Sequence, residues 1–170
     1  MSTPEPVIVI RPATEGDAAA LGRLGAELVR IHHELDRDRF LAPGKRTADG
    51  YGRFLVSQLT GDDTVVFVAE RVGEVVGYVY AGIEPRSWKE LRDVAGFVHD
   101  VLVDENARGT GTGERLIEAA AEWLLARGAP RVMLWTAEKN APAQRLFERL
   151  GFRRTMIEMT REGARFTTPS

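Results

Sequence analysis

Apolar positions recur along this chain with two periods, and the switches between them mark out its elements. Val7 to Ile10 form an unbroken apolar run, too short for a helix and followed by Pro12, so they read as a strand. From Thr14 the period becomes helical: Leu21, Leu24, Leu28, Ile31 and Leu35 share one stripe, and Thr14 with Asp17 resembles a capping box at its start. Residues 36–46 are charged and irregular, with Pro43-Gly44 as a breaker. A second helix is expected over roughly 47–60, ending before Gly61.

Beyond Gly61 the pattern shortens. Residues 64–71 read as a strand, Gly73-Glu74 as a turn, and 75–83 as the second strand of a hairpin. A polar segment, 84–93, carries Trp88 and leads to a strand over 96–103. A helix over 113–127 follows, with Leu116, Ile117, Ala120 and Leu124 inward and Gly128 ending it. Then come a strand over 131–136, a helix over 140–150 closed by Gly151, and a last strand over 152–161. This order predicts one α/β domain over 7–165, a mixed sheet with helices on its faces. Segments 1–6 and 166–170 are expected to be flexible.

Composition narrows the chemistry. The chain has 170 residues, 44% of them hydrophobic and 28% charged, as in an ordinary soluble domain. A formal net charge of −2 with no basic run argues against nucleic acid or an anionic membrane as partner. Without cysteine there is no disulfide framework, thiolate zinc site or cysteine nucleophile. No metal site is expected. No run approaches the ~20 apolar residues of a membrane span, and the N-terminus lacks signal-peptide character, so the expected location is cytoplasmic.

The most telling segment is 101–113, an apolar strand running into Arg108-Gly109-Thr110-Gly111-Thr112-Gly113 and then an amphipathic helix. Glycines ahead of a helix N-terminus let the backbone approach a ligand and aim free N–H groups at it. The positive helix end favours an anion such as a pyrophosphate. Glycines at 109, 111 and 113 have the wrong spacing for a dinucleotide fingerprint, and no lysine completes a Walker loop.

Together with Asn140, Ala143 and Gly151-Phe152 further on, this loop resembles the GNAT superfamily of acetyl-CoA-dependent N-acetyltransferases. The resemblance implies a mostly antiparallel sheet of six to seven strands, splayed where acetyl-CoA enters. It implies that the amides of Arg108, Gly109, Thr110, Gly111, Thr112 and Gly113 hold the CoA pyrophosphate, with the Thr110 and Thr112 hydroxyls as further donors. The backbone of Leu102 and Val103 would pair with the pantetheine arm as an added strand. Asn140, Ala143 and Phe147 complete the expected cofactor contacts. Phe147 departs from a family tyrosine that protonates the leaving thiolate, and phenylalanine has no proton to give.

The resemblance also implies acetyl transfer to a primary amine by direct attack, the acceptor being a small amine or a peptide amine. An amine with pKa ~10.4 must lose a proton first, so a base is needed. Asp100 and His99 are the candidates; side-chain alternation along a strand lets only one of them face the cleft. His32, Glu34, Tyr51 and Trp88 are the expected acceptor contacts, Trp88 on a lid formed by 84–93. Met156, Ile157 and Met159 suit a homodimer, which many family members form. A non-catalytic acyl-CoA-binding or sensing module is the alternative, motivated by Phe147.

Overall fold

Among the described residues five strands make one sheet whose spatial order follows the chain: β1 (Ile8–Pro12), β2 (Thr64–Arg71), β3 (Glu74–Glu84), β4 (Ala95–Val103) and β5 (Val132–Leu134). The structure, a computed structural model, describes residues 7–163. The segments expected to be flexible, 1–6 and 166–170, lie outside the described residues. β1 to β4 run antiparallel and β5 joins β4 in parallel, so the sheet is mixed and mostly antiparallel.

The expected count of six to seven strands is too high, because residues 152–161 form no strand. Met156 and Ile157 are neighbours, so no two-residue alternation can bury both on one face. Met156, Ile157 and Met159 all remain exposed, and Glu158 is held by Arg39 instead.

The helices form two layers. α1 (Ala18–Leu35) and α2 (Thr47–Ser57) cover one face, where Leu21, Leu24 and Leu55 pack on Val66, Val68, Tyr78 and Leu102. Burying each such leucine contributes roughly 1.5–3 kcal/mol. The expected second helix is shorter, its last turn tightening to a 3-10 turn over Gln58–Thr60. α1 and α2 cross closely because their contact is made by glycines. A Cβ on Gly22 would lie 2.4 Å from the Ala48 carbonyl oxygen, and one on Gly52 2.6 Å from that of Ala18. Asp17 accepts from the Thr14 N–H as the capping-box spacing predicts, and Arg11 grips its carboxylate with two further bonds.

α3 (Thr112–Ala126) covers the other face, with Leu116, Ala120 and Leu124 against Val79, Ala81 and Val98. α4 (Ala141–Arg149) packs beside its start, Leu146 lying near Gly113. Gly128 and Gly151 end these two helices at φ 84° and 87°, as expected. At Gly151 the Phe152 N–H returns to the Phe147 carbonyl and the Gly151 N–H to that of Glu148, a Schellman end whose apolar contact is Phe147 on Phe152.

Two irregularities prepare the site. β5 pairs with Gly96, Phe97 and Val98, so among the described residues the outer edge of β4 is open from His99 to Val103. Within the β3–β4 ladder Tyr80 faces Asp100 and Ala81 faces Val98, which leaves His99 as an inserted residue, a β-bulge.

Candidate active site

The bulge re-aims a side chain. His99 stacks on Tyr80 at 4.8 Å and on Phe97 at 5.5 Å, and Asp100 accepts a hydrogen bond from Tyr51 on α2. Both therefore face the α1–α2 side, and the expectation that alternation separates them is overturned by the extra residue.

The electrostatics follow from burial. Asp100 is held above the usual carboxylate range by desolvation, with the Tyr51 hydroxyl, His99 and His32 pulling the other way. His99 is pushed below 6.5 by desolvation, opposed by Glu84 and Asp100. Its Nε2 lies 3.1 Å from Glu84 Oε1. A carboxylate only accepts, so Nε2 carries the hydrogen of the neutral ring and Nδ1 keeps its lone pair. Tyr51 reaches Asp100 because α1 has a glycine beneath its ring: a Cβ on Gly25 would sit 2.1 Å from Tyr51 Cδ1. The Tyr78 hydroxyl is buried nearby and has no hydrogen-bond partner among the described residues.

Beside this cluster lies the glycine loop. Gly109 and Gly111 adopt φ 75° and 76° with open space around them, conformations that only glycine adopts without strain. The first helical bond of α3 is Arg115 N–H to Gly111. The N–H groups of residues 109–114 have no acceptor among the described residues. A run of unpaired amides at a helix N-terminus is an anion cradle, so the residues present fit a pyrophosphate.

The hydroxyls behave differently from expectation. Thr110 Oγ1 donates to the Ala107 carbonyl at 2.7 Å, so in its 2.7 Å contact with Thr112 the buried Thr112 is the donor. Both protons are spent on shaping the loop, and neither is offered to a ligand. Arg108 drops out of the expected set of cradle amides, because its backbone N–H donates to the Glu105 carbonyl at 3.2 Å while its Nε folds back to donate to the Val103 carbonyl at 3.0 Å.

The open strand edge needs one adjustment as well. Asp104 N–H bonds to Val76, and hydrogen-bonded pairs alternate in an antiparallel ladder, so Leu102 spends its backbone groups on Tyr78. Val101 and Val103, rather than Leu102, turn their backbone groups to the open edge. The Leu102 side chain is buried under α1.

The remaining expected contacts divide. His32 lies close enough to act on Asp100, its Nδ1 2.9 Å from the Leu28 carbonyl oxygen. Glu34 is not brought in; it pairs with Arg30 one turn back on the helix surface. Trp88 is 82% exposed in a segment closed on itself by Ser87, Arg92 and the Arg86–Asp93 pair. Asn140 Oδ1 caps α4 through the Ala143 N–H at 3.3 Å. Phe147 is buried. Sequence reasoning missed Glu84, Tyr80, Phe97, Trp135 and Gly25. Glu84 lies in the polar segment, and only the strand register brings it to His99.

Comparison with known proteins places this geometry. Residues 28–152 match the model of the acetyltransferase (GNAT) family. The chain belongs to the GNAT acetyltransferase family. Among relatives of this GNAT chain, the mycothiol acetyltransferase of Thermomonospora curvata is 38% identical over 98 residues, covering 58% of this chain and 31% of that protein. This chain thus spans about a third of that relative's length. The uncharacterised N-acetyltransferase YhfO of Bacillus subtilis is 30% identical over 145 residues, covering 84% of this chain and 88% of the other. A solved aminoglycoside N-acetyltransferase, AAC(6')-Iy in complex with CoA, shares the fold with a TM-score of 0.71, 17% identity, and 96% and 99% coverage of the two chains. Among the described residues no helix is long and apolar enough to cross a membrane, and no cluster of side chains is arranged to hold a metal ion.

Proposed function

We propose that this GNAT chain transfers an acetyl group from acetyl-CoA to a primary amine by direct attack, with no covalent enzyme intermediate. The observation that carries the reading is the run of unpaired N–H groups over 109–114 standing at the end of a strand edge left open beside His99 and Asp100. In this reading the loop amides take the pyrophosphate, and Val101 and Val103 pair with the pantetheine arm. Acetyl-CoA supplies the activated acetyl group. A backbone N–H of the open edge polarises the thioester carbonyl as negative charge develops on its oxygen.

His99 is the proton acceptor in this reading. It is neutral near pH 7, and the imidazolium formed when it takes the amine proton is stabilised by Glu84 and Asp100. Asp100, anchored by Tyr51, draws the acceptor's ammonium into the cleft. No side-chain donor stands at Phe147, so the thiolate leaves unprotonated, which a thiol pKa near 8.5 permits.

The test is thiol release from acetyl-CoA over a panel of amines, with His99→Gln beside the parent. Turnover that falls by about 100-fold or more in the variant supports the assignment. Acetyl-CoA binding without turnover on any amine supports instead the non-catalytic acyl-CoA-binding reading that Phe147 motivates.

A further inference from the structure

A line of six rings crosses the open end of the sheet on the face where His99 and Asp100 meet. Tyr51 and Phe54 on α2 are 5.8 Å apart, and Phe54 is 5.7 Å from Tyr80. Tyr80 stacks on His99, His99 on Phe97, and Phe97 meets the edge of Trp135 at 5.4 Å. Tyr80 and Phe97 are buried, whereas Phe54 is 44% exposed and Trp135 72% exposed. Neither Phe54 nor Trp135 belongs to either core cluster. Phe54 reaches His99 through Tyr80 and Trp135 reaches it through Phe97, so an apolar wall open to solvent stands on each side of His99.

The charge and hydrogen-bonding of this face select further. Glu84 and Asp100 lie beside His99, and the charges felt by Asp100 come from His99 and His32, with no lysine or arginine among them. Arg92, whose guanidinium lies over Phe97, is tied to Glu90 and to the Pro85 carbonyl. A phosphorylated amine would bring its anion against two carboxylates. A polyhydroxylated amine would find the donors taken: Tyr51 bonds to Asp100, Tyr80 to Gln58 and His99 to Glu84.

We propose that the acceptor is an aryl-substituted alkylamine, its ammonium drawn to Asp100 and Glu84 and its flat apolar group seated between Phe54 and Trp135. This rests on the acetyltransferase reading above and names the substrate class of the same site. The ring of the acceptor gains area and edge or face contacts from the two walls, and its ammonium lies within reach of the ring faces.

The experiment compares kcat/KM for 2-phenylethylamine, n-butylamine, spermidine, glucosamine and O-phosphoethanolamine, with the full chain and saturating acetyl-CoA. The expected result is a preference of about tenfold for 2-phenylethylamine over n-butylamine, with the phosphorylated amine slowest. Trp135→Ala and Phe54→Ala should each lower the aryl-to-alkyl ratio several-fold, and Trp135→Phe should restore most of it. Both side chains are too exposed for these changes to threaten folding. Preference for spermidine, glucosamine or the phosphorylated amine, or a ratio unchanged in both alanine variants, would overturn the inference while leaving acetyl transfer intact. Silence on every amine would overturn the acetyltransferase reading itself, and the inference with it.

Discussion

The Tyr51 hydroxyl donates to the Asp100 carboxylate and so couples the helical layer to the strand that carries the bulge. Burial raises the Asp100 pKa and this hydrogen bond lowers it. Tyr51→Phe removes the lowering influence, so the carboxyl should titrate at higher pH. If Asp100 must be ionised to draw the ammonium, the acid limb of kcat/KM moves up in the variant. A pH–rate profile that superimposes on the parent's would remove Tyr51 from this role.

Asp100 also links activity to stability with opposite signs. A carboxyl whose pKa is raised on folding stabilises the native state most when protonated, below its ordinary 3.8, and loses that advantage as pH rises through the folded value. At neutral pH its charge therefore costs stability. Asp100→Asn keeps an acceptor for Tyr51 and should raise Tm at pH 7 by about 2–4 °C, on the order of 1 kcal/mol. Turnover should fall by about tenfold or more in the same variant. Calorimetry at pH 7 and pH 4 should show the gap narrowing as pH falls.

Glu84→Gln should move the pH profile the other way. His99 titrates below 6.5 because it is desolvated, and Glu84 is the first influence opposing that. Removing the carboxylate pushes the ring's pKa further down, so the acid limb set by a neutral His99 shifts to lower pH. Maximal kcat should fall, because the imidazolium loses its partner. The histidine's depressed pKa also means that the stability tied to it is present above its ordinary 6.5 and lost as pH falls through the folded value. An upward shift of the limb in Glu84→Gln would exclude His99 as the base.

Much of this site was readable from local pattern, and what was missed depended on tertiary register. The glycine loop, the Thr14–Asp17 box and the Gly128 and Gly151 helix ends are short-range signals, and each appears where spacing puts it. The bulge at His99 is not a short-range signal; it exists because β3 and β4 differ by one residue between Tyr80 and Ala81. That single insertion decides which side chains share the cleft. The pairing of Glu34 with Arg30 was available from their i,i+4 spacing and argued for a surface position from the start. Gly22, Gly25 and Gly52 look like weak spots in two helices until the crossing shows that Gly22 and Gly52 let the two backbones touch and Gly25 makes room for the Tyr51 ring on α1. The segment 152–161 has strand-like composition but lacks alternation, and alternation is what a half-buried strand requires.

Gly111→Ala tests the cradle separately from the acceptor side. Gly111 precedes α3 at φ 76°, and a Cβ there meets nothing within 4 Å, so the penalty is conformational rather than steric. An L-residue held in this left-handed region costs about 1–2 kcal/mol, and relief of that strain would rotate the amides that follow. The expected outcome is a Tm lower by several degrees, together with a KM for acetyl-CoA raised by about tenfold and little change in KM for the amine. Thr112→Val gives the matching control on loop shape, because it removes the bond from Thr112 to Thr110 while leaving every backbone N–H in place. It should raise the acetyl-CoA KM less than Gly111→Ala does. If isothermal titration finds acetyl-CoA bound equally well by the parent and Gly111→Ala, the amides of residues 109–114 do not hold the pyrophosphate.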